Sequence, residues 1–502
     1  MQGIIILIRK SEINAGRESI EYIFDHVENM AVYYVDVLNG KPGNSGLSES
    51  MPLSDYSAVN IKPGDTILFK RGTFIRGRLN NISGENRKPV TYAAYGEGKD
   101  PVFCGSISLN DPSLWKQESE NIWQCLSDQI GEAANFIFNR THMCGTLRWS
   151  KKELVNQGDF FDNCFGVSNE CKPAPKNHEL YLYSTKNPAL YYSDIECCAC
   201  SMRSLADTGH DIVFRNLHFI NNALHAIAGE NESRNIKIED CSFEFIGGAV
   251  YDDKRKIRYG NAVEFWNIGE NIEITGCYFN NIYDSAITHQ GNGGCKPCVN
   301  LNCHGNVFVC CGMAAYEQRD KLPLYASFSD NICIDAGEGF SKNGEIMPRF
   351  SEIWPLPMGH HIFLWRIESG TEGGKLEIRN NIFYNAPYGA AIYSIISEAA
   401  ENQVRLKNNI YYTKNKRLLN RWNGIDFAVY DEYKKHENNC RWEKVNIAKR
   451  LKDWRKRTTY YGEKRPANEK AVQLKMHLNV GFLSKIQNGF SETDTFLENC
   501  LY

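Results

Sequence analysis

The sequence predicts an all-β solenoid, a parallel β-helix, and three observations carry that prediction. A short phrase recurs seven times, its apolar positions alternate, and its copies follow at a spacing that suits one solenoid coil. The phrase reads apolar, any, apolar, two residues, then Leu, Cys or Asn, one more, and an apolar residue or Cys. Its copies are Ile212-Phe214-Leu217-Phe219, Ile236-Ile238-Cys241-Phe243, Ile272-Ile274-Cys277-Phe279 and Leu301-Cys303-Asn306-Phe308. Ala326-Phe328-Asn331-Cys333, Leu376-Ile378-Asn381-Phe383 and Val404-Leu406-Asn409-Tyr411 complete the set. Alternation is the period of a strand with one buried face, and recurrence marks units that bury that face only against their neighbours.

Measured at the third phrase position (217, 241, 277, 306, 331, 381, 409), the steps are 24, 36, 29, 25, 50 and 28 residues. The short steps fit one coil, with strands stacked about 4.8 Å apart. Leucine-rich repeats have a similar period but need more leucines per unit, and helical repeats need a spacing of three or four. Asn306, Asn331, Asn381 and Asn409 fall at one turn, where stacked amides satisfy buried backbone groups. The two long steps are read as insertions at 252–260 and 338–360, and long loops on a rigid scaffold build or cover sites.

The chain has 502 residues and a net charge of −3, with a pI near 6.5. That balance gives no electrostatic case for nucleic acid or a membrane surface. No apolar run approaches a membrane span, and Gly3–Ile8, followed by Arg9 and Lys10, is too short for the core of an export signal. Cys241, Cys277, Cys303 and Cys333 fall at inward strand positions, and Cys197-Cys198 and Cys310-Cys311 are vicinal. Inward cysteines act as small hydrophobes, so they read as reduced core residues in a cytoplasmic protein. A secreted protein is the alternative.

Along the chain, residues 1–30 form an N-terminal extension, and 31–110 hold a cap and the first coils, starting with the strand Ala31–Asp36. Residues 111–205 break the repeat and read as an inserted β-rich lobe with Trp115, Trp123, Trp149 and the strand Glu179–Tyr183. Residues 206–425 are the β-helix core, and 426–502, charged and helix-like around Ala448–Trp454, cap the open end. Tyr33-Tyr34-Val35-Asp36, Asn39-Gly40 and Asn44-Ser45-Gly46-Leu47-Ser48 are followed by Lys62-Pro63-Gly64-Asp65-Thr66-Ile67-Leu68-Phe69-Lys70-Arg71-Gly72. This opening resembles the N-terminal segment of bacterial right-handed parallel β-helix proteins of the pectate-lyase and polygalacturonase superfamily. The resemblance spans 31–425 and implies a right-handed coil whose first turns are capped by this segment. It implies carbohydrate chemistry less narrowly, since that superfamily holds glycoside hydrolases, polysaccharide lyases and epimerases.

Each phrase is followed by a second short strand: His225-Ala226-Ile227, Val250-Tyr251-Asp252, Ala286–His289, Ala315-Tyr316-Glu317 and Ala391-Ile392-Tyr393. In the second coil, Asn261–Trp266 is an alternative that matches Ser285–Gln290 position for position. In that alignment Glu264, Thr288 and Glu317 share one outward column, with His289 beside it. Acids on neighbouring coils repel, whereas glycoside hydrolysis needs two carboxylates. Glu264 and Glu317 are therefore the catalytic candidates, with Asp284 as a third.

Trp266 suits stacking on a sugar ring, and His225, Asp252, His289, Gln290 and Arg319 suit hydroxyls or a carboxylate. The second insertion ends on Gly359-His360-His361 and runs into Trp365; His361 is expected in the cleft, with Trp365 beyond it. Glu338, Tyr316 and Asp253 are weaker members. Cys295-Lys296-Pro297-Cys298 with Cys303-His304 is a weak metal signature, and no cofactor is expected. The sequence thus points to a glycoside hydrolase acting on an oligosaccharide, with self-association left open. A polysaccharide lyase or uronate epimerase is the rival enzyme, and a non-catalytic carbohydrate-binding β-helix is the rival from another class.

Overall fold

The computed structural model describes residues 30–446 apart from 86, 142, 165–176, 200–201, 292–294, 346, 350–357 and 422–425. The N-terminal extension and the helix-like segment Ala448–Trp454 lie outside the described residues.

The chain winds as a right-handed parallel β-helix whose coils form three long sheets. Two sheets have ten strands and the third has nine. All seven copies of the phrase stack in register. Ile212, Ile236, Ile272, Leu301, Ala326, Leu376 and Val404 pair successively in the first sheet. Phe219, Phe243, Phe279, Phe308, Cys333, Phe383 and Tyr411 do so in the second. Because the register is strict, like side chains lie over like. The rings of Phe219, Phe243, Phe279 and Phe308 stack at centroid distances of 5.5, 4.7 and 4.8 Å, and each buried ring contributes about 2–3 kcal/mol. Cys241, Cys277, Cys303 and Cys333 are free thiols within this core.

Between the first and second strands of each coil the chain turns on one left-handed residue. Asn216, Asp240, Gly276, Gly305, Asp330, Asn380 and Asn408 hold this place, with φ between 52° and 67°. They are the residue types that adopt this conformation at least cost. The next position carries the asparagine ladder. The amide N–H of Asn306 donates to Oδ1 of Asn331 at 2.9 Å, that of Asn331 to Asn381 at 3.0 Å, and that of Asn381 to Asn409 at 2.9 Å. Each of these side chains also donates to a carbonyl inside the coil, as Asn381 does to Phe328 at 2.9 Å. Glu437 ends the row by accepting from the N–H of Asn409 at 2.9 Å.

Two further sheets, built from strands between Ile107 and Ala199, form a lobe with its own apolar core around Phe136, Phe138, Phe160 and Trp115. The insertion after the second phrase is a hairpin, Ala249–Asp252 against Ile257–Tyr259. The coil's own strand is Val263–Trp266, which pairs with His225–Glu230 on one side and Ser285–Gln290 on the other. Of the two strands read for this coil, the later one belongs to the sheet.

Asn381→Leu removes a buried acceptor and a buried donor together, leaving the Asn331 N–H without its acceptor and taking the side-chain donor from the Phe328 carbonyl. The expected loss is about 2–3 kcal/mol, read as a lowered urea midpoint; an unchanged midpoint would show that the ladder does not stabilise the coil.

Candidate active site

The third sheet carries the site. Ala228, Glu264, Thr288, Glu317, Phe363 and Tyr393 form one column, and Glu230, Trp266 and Gln290 begin the next, which continues through Arg319 and Trp365. Both columns point away from the core, yet Glu264, Asp284 and Glu317 are only 3%, 4% and 1% exposed. Something therefore lies over them. Tyr259 of the hairpin stands edge-on to His225 at 5.9 Å, and Arg349 of the second insertion reaches Asp284.

Glu264 is held by amides. Its Oε2 accepts from Asn261 at 2.7 Å and from Gln290 at 3.0 Å. Its Oε1 faces Arg203 and His225, each at 3.6 Å. Burial by itself pushes this carboxyl up, but His225, Arg203 and the two amides together hold it below the usual carboxylate range. Nδ1 of His225 accepts the Asn261 N–H at 3.1 Å, so a neutral ring carries its proton on Nε2, toward Glu264. Burial lowers the His225 value, against the pull of the Glu264 charge. Arg203 also pairs with Glu230.

Glu317 lies two strands away, about 9–10 Å along the sheet at the usual spacing. Its Oε2 accepts from Ser285 at 3.1 Å and Thr288 at 3.0 Å. Its Oε1 takes Nε of Arg319 at 3.1 Å and the terminal nitrogen at 3.0 Å. Asp284 precedes the middle strand and pairs with Arg349 at 2.8 Å. Its carboxyl is pushed up to about 6 by burial, against the pull of Arg349 and with the help of the Glu317 charge. One patch thus holds a carboxylate kept ionised and a carboxyl close to protonation.

The structure brings Glu264, Asp284, Glu317, His225, Gln290 and Arg319 together. Trp266 is half-buried at the edge of the same face, and Trp365 lies under the Arg319 guanidinium, 5.9 Å from its ring centroid. Three expectations need correction. His289 faces the core, in register with Phe265 and Gln318. It is one residue past the outward column, and a strand alternates its faces. Its Nδ1 meets Gln318 at 2.9 Å.

His361 also turns inward and stacks on Phe383 at 5.5 Å. Its neighbour His360 faces out instead, against Phe363 at 5.5 Å and Tyr393 at 4.7 Å. The irregularity beside it, where the N–H groups of Ala315 and Tyr316 share the His361 carbonyl, defeats a simple count of alternation. Asp252 sits in the hairpin turn, accepts the Arg255 N–H at 2.9 Å and lies off the sheet. Among the weaker members, Tyr316 is a core residue and Glu338 accepts from Tyr388 at 3.3 Å. Cys298 and Cys303 are core residues, while His304 lies near Glu273. Among the described residues no three His, Cys, Asp or Glu side chains group to hold a metal.

Arg203, Asn261, Ser285 and Arg349 were not singled out from the sequence. Asn261 and Ser285 begin the two aligned strands, so the alignment contained them. Arg203 lies in a coil with no copy of the phrase, just before the strand Ser204–Asp207, and Arg349 lies in an insertion without register.

No family model matches the chain, and no curated protein matches it. Among solved structures 22 chains match. One is XylC in complex with xylose, 12% identical, covering 78% of this chain and 70% of that one with a TM-score of 0.48. A GH136 lacto-N-biosidase from Eubacterium ramulus is 14% identical, covering 82% and 68% with a TM-score of 0.44. Its selenomethionine form is matched over 61% of its length. Pectate lyase Pel9A is 14% identical, covering 80% and 79% with a TM-score of 0.32. The likeness is to parallel β-helix proteins that act on or bind sugars. At these identities it singles out no reaction for this chain.

His289 and His361 give the fold a pH dependence. Burial lowers their values to about 4 and about 3, while the unfolded chain protonates near 6.5. Below pH 6.5 the unfolded state therefore binds more protons, and each histidine removes about 1.4 kcal/mol of stability per pH unit down to its folded value. Urea titrations between pH 7 and 4 should show this slope, and His361→Phe should reduce it.

Proposed function

We propose that the protein is a glycoside hydrolase acting on an oligosaccharide, with Asp284 as proton donor and Glu264 as the ionised partner. One observation carries the reading: two carboxyl groups in one covered patch have environments that drive their protonation apart. That is the condition for acid and base chemistry at one pH. Glu264 Oε1 is the less encumbered of its two oxygens, its nearest charged neighbours standing at 3.6 Å. It can therefore activate water or attack the anomeric carbon. Glu317 has both oxygens engaged by Ser285, Thr288 and Arg319. It acts through its charge, which favours the proton on Asp284 and stabilises positive charge developing on the sugar ring. Trp266 and Gln290 at the patch edge hold the sugar, and His225 orients Glu264.

This ranking differs from the one the sequence suggests, in which Glu264 and Glu317 form the pair and Asp284 is third. The change comes from the partners: both oxygens of Glu317 are already engaged by Ser285, Thr288 and Arg319, whereas burial and a neighbouring negative charge favour the protonated form of Asp284.

A polysaccharide lyase or uronate epimerase is the second reading, and Arg203, Arg319 and Arg349 favour it because arginine neutralises a uronate carboxylate. Each of them already faces an acid of the site, so the hydrolase reading is preferred.

A panel of nitrophenyl glycosides and of plant and host oligosaccharides decides between them. Hydrolysis releases reducing ends, and lysis gives an unsaturated, ultraviolet-absorbing product. On a cleaved substrate, Asp284→Asn and Glu264→Gln should each lower kcat at least about 100-fold; full turnover in both would sink the assignment. Because Asp284 must carry a proton, kcat/KM should decline as pH rises through about 6.

A further inference from the structure

The second insertion fastens itself on both sides of Asp284. Phe340 packs on the ring of Tyr283, the residue before Asp284, at 5.5 Å, and on Phe245 at 5.9 Å. Nine residues later Arg349 pairs with the carboxylate: a terminal nitrogen donates to Oδ2 at 3.0 Å, and Nε stands 2.8 Å from Oδ1, close in charge but out of line for a hydrogen bond. Both side chains are largely covered, 13% and 5% exposed. Arg349 does this from a left-handed backbone, φ 49°, a conformation disfavoured for a residue with a side chain. Its N–H is tied to the Ser341 carbonyl at 2.9 Å. A strained residue aimed at a reacting group is a recurrent mark of function.

Among the described residues, the other charged groups that act on Asp284 are Glu317 and Arg319. Glu317 is negative and is itself neutralised by Arg319 at 3.0 Å. Tyr283 lies under the Arg258 guanidinium at 4.6 Å, and Glu345, from the same insertion, acts on the Tyr283 side of the pair. Among the described residues Arg349 is the one that forms an ion pair with Asp284.

We infer that Arg349 is a positioning residue that keeps Asp284 ionised in the substrate-free protein, and that it must withdraw before Asp284 can donate a proton. The second half rests on the hydrolase reading; the first is a property of the folded chain. A leaving oxygen that reaches Asp284 has to take the place of the guanidinium. Once that place is taken, burial and the Glu317 charge both favour the neutral carboxyl. The proton comes from a hydronium ion or buffer acid of the solvent: its bond to hydrogen breaks as the O–H of Asp284 forms, and its conjugate base returns to the solvent. The insertion thereby ties substrate entry to loading of the acid, so a proton is in place only when there is a bond to cut.

The test is a carboxyl 13C NMR titration of the full chain labelled at aspartate, with the Asp284 resonance identified by its loss in Asp284→Asn. In Arg349→Gln it should titrate at least about one pH unit higher than in the unaltered protein, a tenfold stronger hold on the proton. Arg349→Lys keeps the charge but loses the planar guanidinium that sets it against both oxygens, and should give a smaller upward displacement. It serves as the deciding variant if circular dichroism shows Arg349→Gln to be unfolded. An Asp284 titration indistinguishable between the folded variants and the unaltered protein overturns the inference. On a cleaved substrate, the alkaline limb of kcat/KM should move upward with the NMR value, and a fixed limb overturns the second half. A displaced NMR titration in a protein that cleaves no glycoside upholds the role of Arg349 and removes the hydrolase reading.

Discussion

Everything in this molecule hangs on one left-handed residue per coil. Between the first and second sheets the chain must change direction within a single residue, and seven successive coils place Asn, Asp or Gly there with φ between 52° and 67°. A longer or softer corner would let neighbouring coils slip. With a corner this tight each coil repeats the last, so Phe lies over Phe, Asn over Asn, and the third sheet inherits the same register. The column that places Glu264 two strands from Glu317 is a downstream product of that corner.

The repeat was legible because stacking forces equivalent positions to carry equivalent residues. The phrase aligned all seven coils, and the match of Asn261–Trp266 with Ser285–Gln290 placed Glu264 beside Thr288 as the structure has it. The corner residues were equally visible in the sequence, as an Asn, Asp or Gly just before each third phrase position. What stayed illegible follows from the same cause. His289 and His361 are adjacent to outward positions, and a single step along a strand exchanges core for surface. Asp252 and Arg349 belong to insertions, which have no neighbour above or below to fix where they point. Arg203 stands in a coil that lacks the phrase altogether.

The charges of the site are arranged as matched pairs: Glu264 with Arg203, Asp284 with Arg349, Glu317 with Arg319. A buried acid without such a partner would be costly, so the arginines are a condition for having three carboxyl groups under cover. The pairs differ in closeness. Arg203 stands back from Glu264 and is shared with Glu230, whereas Arg319 and Arg349 each donate a hydrogen bond directly to their acid. Glu264 compensates with neutral donors, which hold a carboxylate without occupying the oxygen turned toward His225. Differences of this kind, more than the number of acids, separate the roles the three residues can take.

The asparagine ladder has a direction. From Asn306 to Asn381 every backbone N–H in the row points to the amide of the next coil, and none points back. Such a file of aligned amides adds up as the peptide units of a helix do, leaving partial positive charge at its last donor. The residue that meets that donor is an acid, Glu437, which accepts both nitrogens of Asn409 at 2.9 Å. Its other oxygen takes the hydroxyls of Tyr411 and Tyr433 at 2.6 and 2.7 Å. The solenoid thus carries an electrical polarity along its axis, and its C-terminal end is closed by a counter-charge in the way a capping carboxylate closes the start of a helix.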